Sequence, residues 1–114
     1  MTTTAIKHDN NPSTEGVEIY EWNLEASETG TAVAVPQFPD MTVQVSGTFA
    51  AGTVTIEGSC DPSGAANFVG LDDVSKTAIS FTADGIAAIL ENSYWVRPVA
   101  SAVTAVKVVL LAHP

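Results

Sequence analysis

Apolar and polar side chains alternate residue by residue from Met41 to Phe49, and that period leaves little freedom in what the segment can become. Met41, Val43, Val45 and Phe49 fall on one side, and Thr42, Gln44, Ser46 and Thr48 on the other. Successive side chains of an extended strand point to opposite faces, so the pattern specifies a strand with one buried face. Residues 53–60 repeat it, with Val54, Ile56, Gly58 and Cys60 against Thr53, Thr55, Glu57 and Ser59. Ala50-Ala51-Gly52 between them is the size of a hairpin turn, with glycine where φ can become positive. Two such runs joined by a short turn predict a β-meander.

The remaining segments extend this reading. Tyr20, Trp22 and Leu24 alternate like a strand, although Glu18, Glu21, Glu25 and Glu28 are also spaced like one face of a helix. Aromatic content favours the strand. Glu28-Thr29-Gly30 reads as a turn, 31–35 as a short strand ended by Pro36, and Pro36 to Pro39 as a stiff link. Short strands are predicted over 68–71, 78–82 and 94–99, the last with Pro98 at an edge or bulge. Ile86, Ile89 and Leu90 lie at helical spacing and predict one short helical turn near 86–91, plugging an end of the core. In the last strand, 104–111, Val106, Val108 and Leu110 share one face, and Val109 and Leu111 the other, with Lys107 as the exception. A strand apolar on both faces is covered on both, or lies against another subunit. Residues 1–14 carry little to bury and read as an extended N-terminal arm. The sum is an all-β, single-domain antiparallel β-sandwich over 15–114, with about eight short strands in a jelly-roll or Ig-like arrangement.

Composition narrows the function classes. The net charge is −9, from 13 acids and four Lys and Arg. Phosphate backbones and anionic lipid surfaces bind cations, so neither nucleic acid nor membrane is an expected partner. No apolar run is long enough for a membrane helix, and the first residues lack the apolar core of an export signal, so a cytoplasm-like compartment is expected. Charged residues make up only 15% of the chain, against about 25% in ordinary proteins. Either Thr and Ser supply the surface polarity, or partners cover part of it.

Candidate chemistry is sparse. The single Cys60 excludes an intramolecular disulfide, and on the apolar side of its strand it reads as core filling. As a nucleophile it would need a base, and His8 and His113 lie near opposite ends of the chain. The glycines lack a phosphate-loop setting, and no His/Cys spacing suits zinc. Asp61, Asp72, Asp73 and Asp84 fit turn formation better than a calcium loop. No catalytic residue, metal or cofactor is expected, and the chain does not read as an enzyme. Trp22, Tyr94 and Trp95 could stack on a sugar ring, but core aromatics or interface anchors explain them as well. Arg97, the only arginine, could anchor an interface through a bidentate carboxylate contact or serve as an ordinary surface charge.

One ordered series carries a resemblance: Tyr20-x-Trp22, Thr29-Gly30-Thr31, Pro36-x-Phe38, Thr42-Val43-Gln44-Val45-x-Gly47-Thr48-Phe49, Gly52-x-Val54-Thr55-Ile56-Glu57-Gly58-Ser59-x-Asp61 and Tyr94-x-Val96-Arg97-Pro98-Val99. It resembles the small β-sandwich head decoration (cement) proteins encoded beside the major capsid protein in tailed bacteriophages, over about residues 17–111. The sequence departs from that pattern after Ser59, at Cys60 and Ala65-Ala66-Asn67. The resemblance implies a structural virion protein on the outer capsid surface, assembled in the host cytoplasm. It would bridge subunits of the major capsid protein as a homo-oligomer, a trimer before a dimer. Trp22, Tyr94, Trp95, Arg97, Lys107, Val109 and Leu111 are the candidate interface residues. A carbohydrate-binding or adhesin-like sandwich, or another virion part such as a tail or neck subunit, is the alternative.

Overall fold

The computed structural model describes residues 2–3, 5–8, 17–35, 40–61, 67–91 and 93–113. The expectations for 9–14, for Pro36 to Pro39 and for the centre of the 60–67 loop fall outside these residues. The described elements are strands only: β1 (Thr2–Thr3), β2 (Ile6–His8), β3 (Glu18–Ala26), β4 (Thr29–Gly30), β5 (Val33–Ala34), β6 (Asp40–Thr48), β7 (Thr53–Ser59), β8 (Val69–Gly70), β9 (Ser80–Phe81), β10 (Gly85–Ile89), β11 (Trp95–Ser101) and β12 (Val103–His113). They form two sheets. One runs β1-β4-β11-β7-β8, with β5 also on β11 and β9 also on β7, and the other runs β10-β6-β12-β3-β2. The all-β antiparallel sandwich read from alternation is what forms.

The inner faces make one core. β12 contributes Val106, Val108, Leu110 and Ala112, β3 contributes Tyr20, Trp22 and Leu24, and β6 contributes Met41, Val43 and Val45. Val54 and Ile56 of β7 and Val96 and Ala100 of β11 close it from the other sheet. Trp22 is 1% exposed, and its Nε1–H donates to the Thr31 carbonyl at 2.9 Å, so the one polar atom of the ring is satisfied. The β4 backbone approaches this ring closely. A Cβ on Gly30 would lie 2.6 Å from Trp22 Cδ1 and 2.7 Å from Pro98 Cδ, so only glycine lets β4 pass. Pro98 is not on an edge strand. β7 flanks the whole of β11, but on its other side β5 covers Trp95 and Val96 and β4 covers Val99, leaving Pro98 in the gap between them. The missing N–H therefore falls where pairing is interrupted.

Three expectations are corrected. The runs 41–49 and 53–59 are strands, but not a hairpin: β6 bonds to β10 and β12, whereas β7 bonds to β11, β8 and β9. Both edges of each strand are taken by other strands, and Ala50-Ala51 turns the chain across the sandwich. The segment 86–91 is not a helical turn. Gly85–Ile89 pairs with Val45–Met41, with Ile89 buried in the core and Ile86 turned outward. Small Gly85 and Ala87 on the inward side hide the two-residue period, leaving a chance helical spacing. Cys60 does not fill the core. Gly58 and Ser59 are both buried, the alternation slips by one residue, and Cys60 emerges exposed after β7 ends. In the N-terminal segment, Thr2–Thr3 pairs in parallel with β4, and Ile6–His8 pairs antiparallel with β3.

Three sheet-crossing corners meet at one end. β3 crosses to β4 through Ala26-Ser27-Glu28, β6 to β7 through Ala50-Ala51, and β11 to β12 through Ala102. The Ala102 N–H donates to Ser27 Oγ at 3.1 Å, and the Ala100 N–H to the Glu28 carbonyl at 2.8 Å. The Glu28 carboxylate accepts from the Glu25 N–H. Ala26, Ala50, Ala51 and Ala102 all hold positive φ, between 48° and 66°. Non-glycine residues adopt that region at a cost of roughly 1–2 kcal/mol. At Gly52 a Cβ would lie 2.4 Å from the Ala102 carbonyl oxygen and 2.5 Å from that of Ser101, both backbone atoms that cannot swing aside.

Two predictions follow from this packing. Gly52→Ala is expected to destabilise the fold by about 1–3 kcal/mol, whereas Ala51→Gly, which relieves a positive φ, is expected to be neutral or stabilising by up to about 1 kcal/mol. Urea midpoints with unchanged m-values would show the opposite signs. Trp22→Ala should cost about 3–5 kcal/mol, as for a fully buried large ring, and thermal unfolding would measure it; a shift of only a degree or two would contradict the core placement.

Candidate functional site: the outer face around Arg97

The antiparallel register of β11 and β7 sets Arg97 opposite Glu57. Alternation turns both side chains to the outer face of their sheet, where cross-strand partners stand close enough to bond. Arg97 Nε and Nη2 both donate to Glu57 Oε1, at 3.0 and 2.8 Å. The guanidinium also lies over the Phe68 ring, with Cζ 3.9 Å from the centroid, well within cation–π range. Two guanidinium donors of Arg97 thus converge on a single carboxylate oxygen within the chain. Among the described residues Nη1 has no hydrogen-bond partner.

Tyr94 and Trp95 adjoin this pair. Their ring centroids are 5.2 Å apart and their planes meet at 50°. Trp95 Nε1–H donates to the Asp61 carbonyl at 3.0 Å, which ties the ring to the start of the loop after β7. Tyr94, Trp95, Arg97, Glu57 and Phe68 are all half-buried. Each side chain is held by a neighbour while part of its surface remains open. Beside them a cleft of about 300 Å³ opens between Ser59, Cys60, Val69, Leu71, Glu91 and Ser93. Its polar groups are engaged: the Glu91 carboxylate accepts from the Asp72 N–H at 2.9 Å, and Ser93 Oγ donates to the Trp95 carbonyl at 3.0 Å.

The candidate interface residues are therefore divided among three places. Trp95 and Arg97 share the outer face of the β11 sheet, and Tyr94, just before β11, packs its ring against Trp95. Lys107, Val109 and Leu111 share the outer face of the other sheet, Lys107 exposed and the two apolar residues half-buried. Trp22 lies in the core between the sheets and presents no surface, which corrects its placement in an interface. Two members of the Arg97 group were missed. Glu57 lies 40 residues from Arg97 and becomes its partner only through the β7–β11 register; pairing the sole arginine with the outward acid of a neighbouring strand would have been the available signal. Phe68 follows a loop and carries no pattern of its own.

Of the aspartates considered for calcium, Asp61 accepts from the Asn67 side chain, and Asp73 and Asp84 hold backbone N–H groups. Asp73 Oδ1 accepts from the Ser75 and Thr77 N–H groups at 2.9 and 3.1 Å, and Asp84 Oδ1 from the Gly47 N–H at 3.0 Å. Among the described residues no group of three or more His, Cys, Asp or Glu is placed to hold a metal ion.

No protein-family model matches the sequence, and no curated protein matches it. Solved structures do. The chain is similar to the SPBc2 prophage-derived protein YomS, with TM-score 0.64 and 15% identity over 84% of this chain and 93% of that one. It is also similar to a cupin domain from Bordetella pertussis Tohama I, with TM-score 0.54 and 15% identity over 97% of this chain and 92% of that one. An RmlC-like cupin protein from Desulfovibrio desulfuricans gives TM-score 0.53 and 8% identity over 97% and 82% of the two chains. At such identities the likeness is one of fold: this chain is a compact antiparallel β-sandwich of the kind seen in cupins and in a prophage-derived protein.

Proposed function

We propose that this chain is a structural protein of a bacteriophage virion that binds the outer capsid surface and bridges subunits of the major capsid protein. The observation that carries the reading is the Arg97 group. Half-buried aromatics around an arginine are the composition of interface hot spots, where large rigid rings and a guanidinium contribute most of the binding free energy. Here Glu57 and Phe68 hold the guanidinium in place and Asp61 holds Trp95. Little side-chain entropy is then lost on docking, and Nη1 remains available for a carboxylate or carbonyl of the partner. Similarity of fold to a prophage-derived protein and the decoration-protein resemblance support the same reading. In it, the protein acts by covering and clamping, with no reaction of its own. Many modest contacts repeated over a shell would resist internal pressure collectively.

A sugar-binding reading expects rings exposed together on a flat platform. Trp22 is buried, and the Tyr94 and Trp95 planes are inclined to each other, so the geometry favours anchoring over stacking.

The test is co-sedimentation of purified protein with expanded phage heads from the producing cell. Arg97→Ala and Tyr94→Ala are each expected to weaken head binding at least about tenfold, equivalent to about 1.4 kcal/mol. Far-UV circular dichroism should be unchanged in both, and for Arg97→Ala melting should shift only slightly, because a partly exposed ion pair contributes at most about 1 kcal/mol. Wild-type protein that never sediments with heads, or variants that bind as well as wild type, would overturn the proposal.

A further inference from the structure

Among the described residues four large apolar side chains stand exposed, and three of them, Ile86 (66%), Leu90 (42%) and Val74 (66%), lie on or beside β10. β10 is an outermost strand of its sheet, bonded to β6 on one side. On the other side only its end is covered, by the bridge of Asp73 to Ile89 and by the Leu90 N–H donating to the Asp72 carbonyl at 2.9 Å. That hydrogen bond also orients the strand. Backbone groups of an antiparallel strand point alternately to its two sides. Since residue 90 points away from β6, residues 86 and 88 do as well. Ile86 thus directs its N–H and C=O, and Ala88 its N–H, to a side where no described strand pairs.

Natural sheets protect such an edge with lysine, proline or a bulge. Gly85-Ile86-Ala87-Ala88-Ile89-Leu90 contains no charge and no proline. In a chain of net charge −9, two copies can approach closely only where acids are absent or engaged. Asp84, the next acid along the chain, is turned back onto the Gly47 N–H at 3.0 Å.

From this edge we infer that two copies of the chain pair through β10, antiparallel across a twofold axis, joining their two sheets into one. The register follows from what is already occupied. Asp73 sits beside Ile89, so the partner strand must lie toward the start of β10, which centres the pair on Ile86. The Ile86 N–H of each copy then donates to the Ile86 carbonyl of the other. Both Ile86 side chains meet on the outer face and cover each other, beside the half-buried Ala88 and opposite Gln44 of β6. The contact is the same patch on both copies, the requirement for a closed pair. It yields a dimer where the family resemblance suggests a trimer.

Sedimentation equilibrium of the full chain from micromolar to near-millimolar concentration tests the inference, and needs no capsid. Wild type should show a reversible monomer–dimer equilibrium, with the Ile86 and Ala88 amides slowed in hydrogen exchange as concentration rises. Ile86→Pro removes an N–H that points away from β6, so it should leave the fold intact and raise the dimer dissociation constant at least about tenfold. Ile86→Lys should do the same by placing a charge on the axis, and stands in if the proline variant does not fold. Val69→Lys, at the exposed apolar residue on the other sheet, should leave the dimer unchanged. A wild type that stays monomeric throughout, a trimer, or a dimer that Ile86→Lys does not weaken would overturn it.

Discussion

The architecture depends on a backbone collision that is avoided at one end of the sandwich. Gly52 sits against the carbonyls of Ser101 and Ala102 at a distance no side chain could tolerate. There two chain reversals lie one on the other, and a third, at Ala26-Ser27-Glu28, is bonded to the one at Ala102 through Ser27 and Glu28. Each of these reversals carries the chain from one sheet to the other. Their tightness places β3, β6 and β12 in one layer with β4, β7 and β11 facing them. The core follows, because each inward row then meets another inward row across the sandwich. So does the outer face, because the β7–β11 register that begins at the corner, with Thr53 opposite Ser101, is the one that sets Glu57 opposite Arg97.

Local pattern reveals strands but not their partners, and this chain separates the two. The alternation of 41–49 and 53–59 was sufficient to place Met41, Val43, Val45, Val54 and Ile56 in the core. The same alternation, with a short turn between, suggested that the two runs pair. Nothing local distinguishes a turn within a sheet from a corner between sheets. The positive φ of Ala50 and Ala51 suits either, and the deciding contact is with Ser101 and Ala102, far along the chain. β10 was illegible for a different reason. Its inward positions hold Gly85 and Ala87, its one large outward residue is Ile86, and the hydrophobic period therefore points the wrong way. Cys60 was misplaced by a single-residue slip in alternation at Ser59, which turns the next residue to the opposite side.

The candidate site divides along the same line. Arg97, Trp95 and Tyr94 were legible as residue types suited to an interface, because large rings and a lone guanidinium are conspicuous among Thr, Ser and Val. Their arrangement was not, since Glu57 and Phe68 come from other strands and loops. Trp22 shows the converse: an aromatic of the same type, on a strand with the same period, is wholly core because its phase faces inward and Gly30 makes room for it. Composition identifies candidates for binding, and register decides which of them reach the surface.

The two proposals also bear on each other geometrically. Antiparallel pairing through the β10 edge has its twofold axis perpendicular to the joined sheet, so corresponding faces of the two copies point the same way. The outer faces of the β11 sheets, with their Arg97 groups, would then lie side by side and address a single surface. A pair so arranged would hold that surface at two points. After the first contact the second is intramolecular, and its effective concentration is set by the fixed spacing of the two groups. Each Arg97 group could then bind weakly on its own while the pair remained attached. A shallow, half-buried cluster whose guanidinium is already partly engaged by Glu57 suits that division, in which geometry supplies the avidity that a single contact of this size does not.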